Sequence, residues 1–272
     1  MSQTLPAPQP SAPPVEARLG VIEAMGLGWN LITSDFWPLW LAAFLVMLIG
    51  GFAGPAKIVV GPPLAAGLFY VIAWKMRGGK VDLGQVFQGF SQRFKQSFIA
   101  GLVPYGAQLA MLVIWLPIHL CVMFGGMGLS GMHHHGNHEP FIMMPLMLVD
   151  MAVAFGLSFG VLAVYMFFIF AQCEVWNSPE SGWAAAKFSV RLVWNNLGSV
   201  LGLCVLFWLI YVAAGLLGMI GCCIGQLFTI PVAQLWFAAT VLYLYRSWTG
   251  RPIDWAPAAG PASTGISSQG TA

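Results

Sequence analysis

The sequence predicts an all-α fold, a polytopic bundle of transmembrane helices, and three observations support this class. Only 7% of the 272 residues are charged, whereas a soluble domain carries about 25%. The mean hydropathy is +0.79, and apolar runs long enough to cross a bilayer recur along the chain. The basic residues are confined to particular connections between these runs. Because lipid offers no partner to a free backbone group, each run is expected to be a helix.

Six spans are predicted, at residues 36–53, 58–74, 97–124, 147–170, 197–221 and 224–245. The apolar run that contains the fourth span starts at Phe141, but the whole run is too long for one crossing. Residues 1–16 and 254–272 are low in apolar side chains and are predicted to be disordered tails. Residues 17–253 are therefore expected to form one membrane domain.

Three amphipathic helices are predicted to lie in the membrane interface, at residues 17–34, 82–96 and 180–195. In the first, Val21, Met25 and Ile32 recur on one helical face. In the second, aromatic and aliphatic residues alternate in the same way with glutamines and cations. Asn177 to Glu180 is predicted to cap the third helix.

The placement of the cations predicts the orientation of the chain. Lys57 falls on one side of the predicted spans, and ten cations fall on the other: Arg18, Lys75, Arg77, Lys80, Arg93, Lys95, Lys187, Arg191, Arg246 and Arg251. By the positive-inside rule, both termini are expected in the cytoplasm of a bacterial cell, with the chain a multi-pass protein of the inner membrane. No charged residue is expected at mid-depth in any span.

The first and last pairs of spans follow the same plan, which predicts a parallel repeat of a membrane hairpin. A polar residue, Asp35 or Asn196, precedes each pair. A proline early in the second helix is followed 15 residues later by an arginine in both copies, Pro62 to Arg77 and Pro231 to Arg246. The alternative is that any two hydrophobic hairpins resemble each other.

No catalytic constellation is evident, so the chain is not expected to be an enzyme. Glu174 and Glu180 flank a predicted loop and are interpreted as solvated caps. No nucleophile and base pair can be assembled within the spans. Gln108 and Gln234 fall near the middle of the third and sixth spans. Amides at that depth either join helices or mark a functional site, and the first interpretation is favoured.

One loop is rich in metal-binding side chains. His133, His134, His135, His138 and Glu139 lie close together in the sequence, and imidazole binds Zn, Cu or Ni. His119 and Asp150 are expected on the same side of the membrane. The hypothesis is a weak divalent-metal site, without a firmly bound cofactor. The alternative is a flexible glycine-rich connector that binds metal only adventitiously.

Several short motifs resemble those of a known group of proteins. These motifs are Gly28-Trp29-Asn30-Leu31, Gly61-Pro62-Pro63 with Gly67, Val86-Phe87-Gln88-Gly89-Phe90 and Asn195-Asn196-Leu197-Gly198. Together they resemble a broad group of uncharacterised bacterial six-span membrane proteins. They are similar to the membrane domain of glycerophosphodiester phosphodiesterases. The resemblance implies an all-helical fold in the cell membrane and carries no catalytic residue over.

Two functions are compatible with these observations. The first is a non-enzymatic integral membrane protein with a structural, scaffolding or regulatory role, which the three interfacial helices favour. The second is a small transporter or permease, which the repeat favours. The expected partners are the lipid bilayer and a membrane protein or a second copy of the chain, with no nucleic acid. A cavity at mid-depth lined by Gln108 or Gln234 would favour the second function, and its absence would favour the first.

Overall fold

A computed structural model describes residues 18–132, 140–177, 181–220, 224–253 and 255. Every element in this part of the chain is helical, so the predicted all-α class is confirmed. The α-helices are α1 Val21–Ser34, α2 Phe36–Phe52, α3 Lys57–Met76, α4 Gln88–Ser91, α5 Phe94–Met132, α6 Pro140–Phe167, α7 Ala171–Asn177, α8 Gly182–Asn195, α9 Leu197–Ile220 and α10 Ile224–Thr249. Except for Trp255, the two predicted tails lie outside the described residues.

Five described segments are long and apolar enough to cross a bilayer: Gly54–Met76, Phe94–Phe124, Leu148–Asn177, Leu197–Gly218 and Gly225–Thr249. The helices α1 and α2 meet the same test only as a pair, and the chain bends by 103° between them. The structure therefore supports a multi-pass membrane protein with five or six spans. The 17 residues of α2 extend over only ~26 Å, which is less than the ~30 Å hydrocarbon core.

The α2–α3 hairpin is shorter than the α5–α6 and α9–α10 hairpins. On α3, Pro62 packs against Gly101 of α5, where a Cβ would lie 2.4 Å from the proline Cγ. One residue earlier on α3, a Cβ at Gly61 would lie 2.3 Å from the ring of Tyr105, which is farther along α5 than Gly101, so α3 runs antiparallel to α5. The first residue of α3, Lys57, consequently lies close to the α5 turn that contains Gln108. Helix α5 continues ~36 Å beyond Gln108, so the tip of the short hairpin is recessed between longer helices.

The predicted interfacial helix at residues 82–96 is wrong as a continuous helix. A 3₁₀ turn at Leu83–Phe87 is followed by the single turn of α4, and α5 begins at Phe94. Asp82 caps the 3₁₀ turn by accepting a hydrogen bond from Gly84 N at 3.0 Å. The break lets the segment pack against α3: a Cβ at Gly67 would lie 1.7 Å from the Val86 carbonyl oxygen. Glycine at position 67 is therefore required for this close approach of the two backbones.

The fourth predicted span, 147–170, contains a break that the sequence analysis did not predict. Helix α6 ends at Phe167 and α7 begins at Ala171. Ser189 of α8 bonds to both sides of this break: its hydroxyl donates to the Phe167 carbonyl at 2.9 Å and accepts from Phe170 N at 3.1 Å. A side chain from a neighbouring helix thus satisfies the backbone groups that the break exposes.

The first and third predicted interfacial helices are present, with different bounds and faces. Met25, Gly28 and Ile32 of α1 are buried as expected, and they pack along α10. Helix α8 begins at Gly182, with Ser181 as its N-cap and not the predicted 177–180 segment. The buried face of α8 includes small residues such as Ala185 and Ser189, whereas Trp183 is exposed.

Candidate functional site

A cavity lies between six helices, and we call it the central cavity. Its volume is about 950 Å³, within the range of small-molecule sites in proteins. Each of six helices contributes to its wall, represented by Val46 of α2, Gly61 of α3, Gln108 of α5, Tyr165 of α6, Trp208 of α9 and Gln234 of α10. On α5, α6, α9 and α10 the lining ends about halfway along the helix, whereas on α2 and α3 it reaches the hairpin tip.

The cavity wall is mostly apolar, but several polar groups on it have no partner. Gln108 and Gln234 both line the cavity, and their amides make no hydrogen bond within the described part of the chain. The hydroxyls of Tyr105, Tyr165 and Tyr211 are also without a partner among the described residues. In hydrocarbon an unsatisfied polar group costs several kcal/mol (roughly 2–7), so these groups favour contact with water or a ligand.

The tyrosines are held in place by close packing at the glycine on α3. A Cβ at Gly61 would lie 2.3 Å from the ring of Tyr105, so only glycine leaves room for that ring. Tyr105 in turn packs edge-on against Tyr165, with ring centroids 5.9 Å apart. The glycine thus allows an aromatic side chain from α5 to reach the cavity between α3 and α6.

Gln172 of α7 is a polar residue at one end of the cavity. Its side-chain amide nitrogen donates to the Ser97 carbonyl at 3.2 Å, which fixes the orientation of the group. The amide oxygen is buried and has no hydrogen-bond partner among the described residues. Because Gln172 is only 8% exposed, this free acceptor can be reached only from within the cavity or its immediate wall.

Among the described residues, Lys57 is the one charged side chain on the cavity wall. It is half-buried and forms no ion pair or hydrogen bond with another described residue. Lys57 was predicted to lie on the far side of the membrane, outside the spans. In the structure it lines the same cavity as Gln108, because the short α2–α3 hairpin ends beside the longer helix α5.

A second polar cluster lies beyond the cavity, where α7 meets the end of α10. Glu174 is only 4% exposed, so the interpretation of this residue as a solvated cap is wrong. Its carboxylate accepts a hydrogen bond from Tyr245 at 2.5 Å and forms an ion pair with Arg251. Asn177 donates to the Tyr245 hydroxyl at 3.0 Å. Burial lowers the pKa of Arg251, but its contacts with Glu174 raise it, and the net pKa lies above the ordinary value.

The predicted metal-binding residues fall into two groups, those of the histidine-rich loop and the pair His119 and Asp150. His133, His134, His135, His138 and Glu139 lie outside the described residues. His119 and Asp150 are brought together as expected, with Nδ1 and Oδ2 2.8 Å apart. No group of three or more His, Cys, Asp or Glu side chains in the described ranges is arranged to hold a metal. The metal site remains a prediction.

Sequence reasoning found Gln108 and Gln234 but missed the other polar groups of the cavity. The tyrosines gave no signal, because an isolated tyrosine in an apolar run is indistinguishable from an interfacial anchor. Lys57 was recognised as the single cation that departs from the charge distribution, but not as a residue of the site. Its depth could not have been predicted, because that depth depends on how the hairpin packs against α5.

Comparisons with known proteins give no match for this chain among family models, curated proteins or solved structures. The resemblance to the membrane domain of glycerophosphodiester phosphodiesterases therefore remains a prediction from short motifs.

Proposed function

We propose that this chain is a non-enzymatic integral membrane protein that binds an amphipathic molecule in the central cavity and carries it through the bilayer. The observation that supports this proposal is the cavity itself, with Gln108 and Gln234 on opposite helices of its wall. Unpartnered amides and hydroxyls offer hydrogen bonds to a polar group, and the apolar wall accommodates a hydrocarbon body. Of the two functions compatible with the sequence, the transporter is the one that this geometry favours.

A repeated order of helices in the fold supports the transport proposal. Helices α1 and α8 each contain 14 residues, and each is joined to the next helix by a single polar residue, Asp35 or Asn196. This common order, helix, break and hairpin, supports the inferred parallel repeat. We infer six spans, with α2 as the first, although α2–α3 is the shorter hairpin. Hairpins that repeat around a central site are common in transporters.

The cavity proposal is tested by the access of water to its wall. We expect Gln108→Cys and Gln234→Cys, in a background without other cysteines, to react in intact cells with a small, charged thiol reagent. Val113→Cys is the matched control, because Val113 lies one to two turns from Gln108 but is exposed on the outside of α5 and does not line the cavity. Equal protection of all three cysteines would mean that the cavity is sealed, and would favour a scaffolding function.

We further infer that both termini are cytoplasmic, because ten cations lie at or beyond the same end of the bundle. Alkaline phosphatase fused at residue 130 is expected to be active, and a fusion at residue 90 is expected to be inactive. A fluorescent-protein fusion at each position is the control, since it should give the reverse pattern. The opposite result at both positions would overturn the orientation.

The scaffolding function remains the second candidate. It is supported by α8, where Trp183 and Trp194 are exposed beside the cations of the same face. Aromatic and basic side chains together suit the interface of a membrane or of a membrane-protein partner. A sealed central cavity together with a stable complex in the membrane would favour this function.

A further inference from the structure

Lys57 is the residue that narrows the class of ligand. It lies at the first turn of α3 and shares one helical face with Gly61, Leu64 and Leu68, all of which line the central cavity. Ten other cations lie toward the opposite end of α3 or beyond it. The described lining of the cavity therefore has a single charged group, at the end nearest the α2–α3 hairpin tip.

The charge of Lys57 is not compensated by any residue that the structure describes. None of the described aspartates or glutamates lines the cavity, and none forms an ion pair with Lys57. A charge held away from bulk water is costly unless it is paired, and intramembrane lysines are found paired or at functional sites. An anion at this position would supply the missing partner and would accept a charge-assisted hydrogen bond.

The lining of the cavity beyond Lys57 determines which chemical group the bound anion can carry. The apolar walls are provided by Leu64 and Leu68 of α3, by Leu162 of α6 and by Ile169 in the break that follows α6. From Lys57 to Phe69 the lining extends ~18 Å along α3, which suits an extended hydrocarbon chain better than a compact polar ion. Gln172 also lines the cavity, and its buried amide oxygen has no partner among the described residues.

We propose that the central cavity binds an anionic amphiphile, with its carboxylate or phosphate at Lys57 and its single hydrocarbon chain along α3 and α6. This inference rests on the proposed function, because it specifies the ligand of the same cavity. A free inorganic anion shares the head-group chemistry but not the chain. The two sources of the anion are therefore separated by comparing a chain-bearing phosphate with phosphate alone.

The test uses the full-length protein in phosphatidylcholine nanodiscs, with empty nanodiscs as the baseline for partitioning. Hexadecyl phosphate, hexadecan-1-ol and inorganic phosphate are titrated against the wild type, Lys57→Met and Lys57→Arg. We expect Lys57→Met to lose roughly tenfold or more in affinity for hexadecyl phosphate, as for a lost hydrogen bond between charged groups. Its affinity for hexadecan-1-ol should not change, and Lys57→Arg should retain most of the binding. Lys95→Met, which removes an exposed cation from the other end of the bundle, should behave as wild type.

The outcomes separate this inference from the function on which it rests. If hexadecyl phosphate and hexadecan-1-ol bind the wild type equally well, the cavity takes amphiphiles without selecting an anion, and the inference is wrong. If Lys57→Met binds both probes as the wild type does, Lys57 does not hold the anionic group, and the inference is wrong. If inorganic phosphate competes as well as hexadecyl phosphate, the chain contributes nothing, and the inference is wrong again. If no chain-bearing probe binds above the baseline, the proposed function itself fails.

Discussion

Gly67→Ala is expected to lower the free energy of unfolding by roughly 3 kcal/mol or more, one of the two largest effects of a single substitution predicted for this chain. The new Cβ would lie 1.7 Å from the Val86 carbonyl oxygen, an atom of the backbone that cannot rotate away. Gly89→Ala is expected to destabilise the protein in the same way, because its Cβ would lie 2.0 Å from the Pro63 carbonyl oxygen of α3. The midpoint of thermal unfolding in a mild detergent would measure both effects.

Gly106→Ala provides the matched control for these two substitutions. Gly106 also lies inside a helix, and a Cβ there would meet no atom within 4 Å. Because alanine is favoured over glycine in a helix by about 1 kcal/mol, this variant is expected to be as stable as the wild type or more so. If Gly67→Ala unfolded at the same temperature as Gly106→Ala, the segment 83–91 would not pack against α3 as described here.

Glu174→Leu is expected to destabilise the protein by roughly 3 kcal/mol, because it leaves two groups without the partner they share. Tyr245 loses the acceptor of its hydrogen bond, and Arg251 loses the carboxylate of its ion pair. Arg251→Met should also be destabilising, because it leaves the Glu174 carboxylate, whose side chain is only 5% exposed, without its cation. Chemical unfolding monitored by tryptophan fluorescence would rank the variants.

Glu23→Leu is the control for the loss of a carboxylate as such. Glu23 lies in the first turn of α1 and is exposed, so its replacement should change stability by less than about 0.5 kcal/mol. Tyr245→Phe removes one hydroxyl, and its loss in the free energy of unfolding should lie between those of Glu174→Leu and Glu23→Leu, at about 1–2 kcal/mol. Equal stabilities for Glu174→Leu and Glu23→Leu would show that the cluster at the end of α10 does not hold α7 in place.

The sequence predicted the long helices well because their length and composition are local properties. Helix α9 was expected at residues 197–221 and extends over Leu197–Ile220, and α3 was expected at residues 58–74 and extends over Lys57–Met76. Because hydrocarbon offers no hydrogen-bond partner to the backbone, a long apolar run in a membrane forms a helix. The same reasoning gives no information on which helices are neighbours.

The features that the sequence did not predict all depend on tertiary contacts. The break of the 82–96 segment depends on glycines of α3 and α4 that allow two backbones to touch. The burial of Glu174 depends on Arg251, which lies 77 residues farther along the chain. In the candidate site, the two glutamines were identified by their position in the spans, but Lys57 was not, because its depth follows from the docking of the α2–α3 hairpin.

The short α2–α3 hairpin also exposes Lys57 to the electrical state of the membrane. Moving one elementary charge across the whole bilayer changes its energy by about 2.3 kcal/mol per 100 mV. A cation held level with Gln108, halfway along the long helices, experiences part of that drop, on the order of 1 kcal/mol per 100 mV. The anion that we propose beside it would carry the opposite charge, so the bound pair would be nearly neutral and its energy would hardly depend on voltage. We therefore expect the voltage dependence of Lys57 to fall when the cavity is occupied.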